Sequence, residues 1–226
     1  MPTRLRPTAP IAPDAILVGD PGRALLLAQE LLVEPKMSNH ARGLWGYSGT
    51  TPAGHPLTIQ STGMGGPSAA LILGELAKLR VRRAVRVGTC VGLGGDVGLG
   101  DLLVVSEAIA RGGSSSAFGL AVGEPVKPDA GLTEALEASL AGQASAHRVA
   151  SFDVHPDGPD DREDDPRVAA ADMQTAPLLA SARSHEVRVA ALLIVAEVAA
   201  GGGLDKEDLE QAERRAGRFA RAILSI

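Results

Sequence analysis

Three glycine-rich turns carry the residue types from which this chain can build a reaction site: residues 19–23, 63–68 and 88–90. Glycine lets a ligand approach the backbone closely, and the amides at a following helix start form an anion site. Two of the turns come with an arginine: Arg23 closes the first, and Arg86 stands just before the third. A guanidinium is a fixed fork of donors suited to phosphate. Thr89 adds a hydroxyl donor. Arg86 opens a run that reads as buried, Arg86-Val87-Gly88-Thr89-Cys90. A buried arginine requires an anionic partner or several acceptors. None of the turns has the Gly-Lys-Ser/Thr ending of a phosphate loop or the Gly-x-Gly-x-x-Gly of a dinucleotide site. A small free anion therefore suits them better than a nucleoside triphosphate or NAD.

Carboxylates and amides at strand ends supply the second kind of chemistry. Glu197 closes the apolar run 187–195, where a carboxylate is a candidate general acid. Asp172-Met173-Gln174 closes another run and can place polar groups over the same cleft. The histidines (His40, His55, His147, His155 and His185) have no zinc-motif spacing and read as turn or surface residues. Ser68 and Ser106 lack the Gly-x-Ser-x-Gly elbow of a hydrolase. The single cysteine, Cys90, excludes an internal disulfide and suits a reducing cytosol.

These residues need elements to position them. Apolar runs at 15–18, 57–60, 84–87, 102–109, 148–154, 168–173 and 187–195 read as strands, and 44–47 pairs with 57–60 as a hairpin. Segments 23–32, 69–79, 132–140, 175–184 and 205–224 have helical composition or spacing. Asp20-Pro21 is a helix-start signal. The alternation predicts an α/β fold: one domain over 14–226 with a mixed central sheet flanked by helices, preceded by an extended arm over 1–13. The acidic stretch 157–165 reads as a solvated loop.

Composition narrows the function. The 226 residues include only three Phe, one Trp and one Tyr, too few for a ring-stacking nucleic-acid platform. A net charge of −5 gives no general attraction to nucleic acid or to an anionic membrane. No apolar run reaches the roughly 18–20 residues that span a bilayer, and the first 13 residues lack the apolar core of a signal peptide. A cytoplasmic protein is expected.

Taken in order, the turns resemble the nucleoside phosphorylase-I family, the bacterial-type purine nucleoside and uridine phosphorylases, from about Leu17 to the C-terminus. Val18-Gly19-Asp20-Pro21-Gly22-Arg23 resembles the family's first phosphate turn. Asn39-His40-Ala41-Arg42-Gly43 resembles the segment whose arginine reaches a neighbouring subunit's site. Ser61-Thr62-Gly63-Met64-Gly65-Gly66-Pro67-Ser68 and Arg86-Val87-Gly88-Thr89-Cys90 are similar to two further family turns. The resemblance implies phosphate binding by Gly19, Arg23, Arg42, Arg86 and Thr89. It implies nucleoside binding by Met64, Met173, Gln174 and Phe152, the last near the segment that supplies a base-stacking ring. Residues 108–116 resemble the strand end near the base. Glu197 and Arg214 would be the acid and its assistant. The implied reaction is phosphorolysis of a nucleoside, purine more than uridine, with inorganic phosphate as co-substrate and no cofactor or metal. The implied assembly is a homodimer or a homohexamer.

The departures fall on the sugar and base side. The family's Glu-Met-Glu is here Asp172-Met173-Gln174, its Ser-Asp is Ala196-Glu197, and Arg4 stands where the family has a histidine near the sugar. These leave two alternatives open: a weakly active or non-catalytic binder of phosphate or a sugar phosphate, and a hydrolytic nucleosidase.

Overall fold

The computed structural model describes residues 3–94, 97–140, 142–155 and 165–225. Among them, ten strands form one mixed sheet with the spatial order β10-β6-β8-β9-β5-β1-β4-β3-β2, and β7 (Pro125–Val126) on the edge of β6. The parallel centre is β1 (Asp14–Val18), β4 (Pro56–Ser61), β5 (Arg83–Gly92) and β10 (Arg188–Val198). Every residue of β1 is buried, as expected of a strand covered on both faces. β10 also pairs with β6 (Leu102–Ala110), β6 with β8 (Ala144–Ser151), β8 with β9 (Val168–Asp172), and β9 returns to the far end of β5. These pairings close β5, β10, β6, β8 and β9 into a ring, a small barrel on one side of the open sheet.

Helices cover both faces. α2 (Gly66–Lys78) and α4 (Thr175–Ser184) pack together over a core of Leu73, Leu76, Leu178 and Leu193. α1 (Pro21–Leu31), α3 (Ala130–Ser139) and α5 (Lys206–Leu224) cover the other face around Leu27, Leu31, Leu136 and Ile223. α1 starts where Asp20 accepts the Arg23 amide at 2.7 Å, with Pro21 opening the first turn. α5 has the same logic, with Asp205 as cap and Glu207 and Asp208 in its first turn.

The single α/β body with its mixed sheet agrees with the sequence reading, and three elements differ. β5 does not stop at Val87. It runs through Gly88, Thr89 and Cys90, because β10 continues beside it and pairs Leu193 with Gly88 and Ile194 with Thr89. The third turn is thus a largely buried stretch within a strand. β2 (Val33–Asn39) is not among the expected strands, since it has no apolar run. It lies at the sheet edge, where proline and polar residues are tolerated. The hairpin of β3 (Gly46–Thr50) with β4 forms as expected, two residues later at its start. Most of the acidic stretch, residues 157–164, lies outside the described residues.

The arm before β1 is docked. Leu5 is buried, and the amides of Thr3, Arg4 and Leu5 all donate to the buried Glu75 carboxylate of α2. Burial pushes the Glu75 carboxyl up, but these amides and Lys78 outweigh it and hold the group below the usual carboxylate range. A group lowered in this way stabilises the fold above its unfolded-state pKa and loses that contribution as pH falls through the folded-state value. Glu75→Gln is expected to cost about 1–3 kcal/mol at neutral pH. The difference from the parent protein should shrink below about pH 4. Thermal melts from about pH 8 to pH 3 check both statements, and a pH-independent difference would count against the ionic account.

Candidate active site

The carboxyl ends of β1, β4, β5, β9 and β10 meet at one cleft of about 410 Å³. Ligands in open α/β sheets bind at such strand ends. The cleft is lined by the turns after β1 and β4, the C-terminal half of β5, the turn after β9, and the outer end of β10.

On one side stand two buried arginines. Arg23 donates through Nε to Glu213 Oε1 on α5 at 2.6 Å and through Nη1 to the Val87 carbonyl at 3.4 Å. Arg86 donates to Asp172 Oδ2 at 2.8 Å, to Gln174 Oε1 at 2.6 Å and to Thr175 Oγ1 at 3.1 Å. The anionic partner and acceptors that a buried arginine requires are therefore supplied by the protein. Three of the five guanidinium N–H groups are used in this way, and the others remain for a ligand. Gly88 is a steric necessity: a Cβ there would lie 2.5 Å from Arg86 Nη2. Asp172 is itself held by the Thr175 amide and hydroxyl and by Ser151. Gln174 completes the brace by donating Nε2 to the Gly63 carbonyl at 2.6 Å. Cys90 lines the same wall. Burial, with the Asp172 charge adding to it, pushes its thiol far above the usual range, so it is no nucleophile.

On the other side stand Met173, Ala196, Glu197 and His155. Glu197 reaches the lining through a bulge. Val195 pairs with Cys90 and Glu197 with the next residue, Val91, so Ala196 is an extra residue in β10. Bulges re-aim side chains in this way beside functional sites. Glu197 Oε2 lies 3.8 Å from His155 Nε2.

Of the residues expected from the sequence, Gly19, Arg23, Met64, Arg86, Thr89, Met173, Gln174 and Glu197 line this cleft. Met64 is at the rim, 84% exposed. Three do not join them. Arg42 stands in an exposed 3₁₀ turn (Ala41–Gly43) with φ 63°, a left-handed conformation uncommon for a residue with a side chain. Phe152 packs with Ile109, Ala150 and Val168 in a small core, so it is not among the rings of the cleft. Arg214 donates to Glu30 at 2.9 Å and lines a separate groove with Asp101 and Asp208, so this placement does not bring it to Glu197. α5 directs Glu213, not its neighbour, toward the cleft arginine.

The sequence reading missed His155, Glu213 and Thr175. Glu213 and Thr175 become visible only when their helices dock. His155 lies four residues after the end of β8 and lines the strand-end cleft, but its lack of a metal-motif partner hid it. Among the described residues no Phe, Tyr or Trp lines the cleft, and the imidazole of His155 is its one aromatic ring. Among them, too, no group of three or more His, Cys, Asp or Glu could hold a metal ion, and no helix is long and apolar enough to cross a membrane.

Residues 13–226 match the Phosphorylase superfamily. A purine nucleoside phosphorylase DeoD-type of Jannaschia sp. is 31% identical over 194 residues, 83% of this chain and 82% of that protein. A guanosine phosphorylase of Halorubrum lacusprofundi is 33% identical over 226 residues, 92% of this chain and 89% of that protein. A purine nucleoside phosphorylase DeoD-type of Oceanobacillus iheyensis is 40% identical over 99 residues, where the match spans only 42% of that protein's length. A match over nearly the whole folded body, on a mixed sheet whose strand ends gather the arginines and Glu197, places the chain by descent: it belongs to the Phosphorylase superfamily.

Proposed function

We propose that this protein cleaves a purine nucleoside by phosphorolysis, releasing the free base and a (deoxy)ribose 1-phosphate, with inorganic phosphate as co-substrate. The observation that carries the reading is the division of one cleft into a guanidinium side, Arg23 and Arg86, and a carboxylate side, Glu197. The family membership and the relatives named for purine and guanosine phosphorolysis support a purine over uridine.

The geometry suits the reaction's needs. Phosphate is held beside the sugar by donors that are already oriented: the remaining N–H groups of Arg23 and Arg86, the Thr89 hydroxyl and the Gly19 backbone. One phosphate oxygen bonds to C1′ as the C1′–N9 bond breaks, and the electron pair stays on the base. Glu197 delivers a proton to the departing base. Met173 packs against the sugar, and Gln174 holds the floor between Arg86 and the Gly63 turn. A neutral amide here stabilises a cationic sugar less than a carboxylate does, so the catalytic load shifts toward phosphate and the departing base.

Arg42 supports an assembly of at least two copies. An exposed arginine in a left-handed backbone conformation, whose side chain makes no hydrogen bond or ion pair among the described residues, is poised to reach a neighbour's cleft. The work of the site would then need a symmetric dimer as its minimal unit, alone or within a hexamer.

A nucleoside panel with and without phosphate tests the reading directly. Base release should require phosphate. An undiminished rate in phosphate-free buffer would make the protein a hydrolase, and phosphate binding without base release would make it a binding protein. Glu197→Ala is expected to lower kcat by about 10²–10⁴-fold with a much smaller change in KM. Steady-state kinetics on the best purine nucleoside reads this, and an unchanged kcat removes Glu197 from the mechanism. Mixing Arg42→Ala and Glu197→Ala subunits by denaturation and refolding should restore roughly a quarter of the sites if Arg42 serves the neighbour. No recovery would confine each site to its own chain.

A further inference from the structure

We propose that His155 is the proton partner of Glu197: the two side chains form one acid that protonates the purine at N7 as it leaves. The proposal rests on the phosphorolytic reading and adds the residue that supplies its acid with a proton.

Four observations carry it. His155 and Glu197 come from different parts of the chain, the segment after β8 and the bulge of β10, yet His155 Nε2 and Glu197 Oε2 stand 3.8 Å apart at the cleft. Both are partly open to water, with side chains 41% and 54% exposed. Arg214, the residue the sequence offered as the acid's assistant, is bound to Glu30 at another groove. The other charged groups around the cleft are committed: Arg86 to Asp172, Arg23 to Glu213, Asp20 to the start of α1, and Asp153 to Ser114. Among the described residues, His155 and Glu197 are the acid–base side chains that stand together on the base side of the cleft.

The chemistry of the two groups explains the pairing. Carboxyl groups in water give up their proton near pH 4, and imidazolium groups near pH 6.5. A general acid is most effective when its pKa lies near the working pH. A carboxylate alone in a wet cleft is a poor proton source at neutral pH, and a carboxylate backed by an imidazolium is a good one. As the C1′–N9 bond breaks and negative charge builds on the purine, Glu197 Oε2 takes the His155 Nε2 proton. The resulting carboxyl delivers it to N7. The products are neutral purine, carboxylate and neutral imidazole, and the exposed imidazole regains its proton from water.

A nucleoside that leaves without accepting a proton separates this role from a structural one. 7-Methylguanosine carries a methyl group and a positive charge at N7, so its base departs neutral and unprotonated. His155→Gln should lower kcat on guanosine by about 10²-fold while kcat on 7-methylguanosine changes by less than about threefold. The retained activity on the methylated substrate also proves that the variant is folded. Equal losses on both substrates, or no loss on guanosine, overturn the role of His155 while leaving phosphorolysis intact. If the parent protein releases base from neither nucleoside in phosphate, the phosphorolytic reading fails, and the proposal with it.

Discussion

The site depends on where one buried cation finds its partners. Arg86 is 4% exposed and leaves the end of β5 inside the protein, where an unmatched guanidinium is not tolerated. Its three acceptors all belong to one short segment, Asp172 to Thr175, at the junction of β9 and α4. That segment is in turn fixed by Ser151 of β8 and, through Gln174, by the turn after β4. One guanidinium thereby joins four parts of the chain that are far apart in sequence. Removing a single member of such a network costs about 3–5 kcal/mol, because the remaining charge stays buried. The same network fixes the orientation of the N–H groups left over for a ligand, so stability and preorganisation have one source.

The parts legible in the sequence were those governed by local rules. The apolar runs of β1, β6 and β10 announce buried strands, and the Asp20-Pro21 and Asp205 starts of α1 and α5 follow capping chemistry. The glycine turns and their arginines were legible for the same reason, since their function demands a particular backbone and a particular fork of donors. What the sequence hid depends on tertiary placement. β2 is a strand only because β3 offers it an edge, and β5 is long only because β10 continues beside it. Arg214 and Glu213 are adjacent in sequence, but the packing of α5 against α1 decides which of them faces Arg23 and which faces Glu30. No periodicity argument separates these two residues without the partner helix.

The scarcity of aromatic residues acquires a location in the fold. Tyr47 is 6% exposed in the core, Phe118, Phe152 and Phe219 pack against apolar clusters, and Trp45 stands near the exposed Arg42 turn. None lines the cleft, so a purine there meets no Phe, Tyr or Trp among the described residues. Stacking on such a ring contributes on the order of 1–3 kcal/mol per base in single-stranded complexes. Without it, recognition of the base rests more on polar contacts and less on a shared face. The imidazole of His155 is the ring that remains, and it is smaller and carries a proton.

Charge balance gives the change at Gln174 a physical meaning. Asp172 already supplies a full negative charge to Arg86 at 2.8 Å, and Glu213 does the same for Arg23 at 2.6 Å. A carboxylate at position 174 would add a third anion around these two arginines, and like charges in a partly dry cleft repel strongly. The amide keeps both hydrogen bonds, accepting from Arg86 and donating to Gly63, without that charge. Only an amide can do both at once, since an ionised carboxylate has no proton to give the Gly63 carbonyl. The amide thus closes a brace between Arg86 and the turn after β4. Glutamate at position 174 would have to open the contact with Gly63 to keep its bond to Arg86, and the turn after β4 would lose the hold that now fixes it against β9.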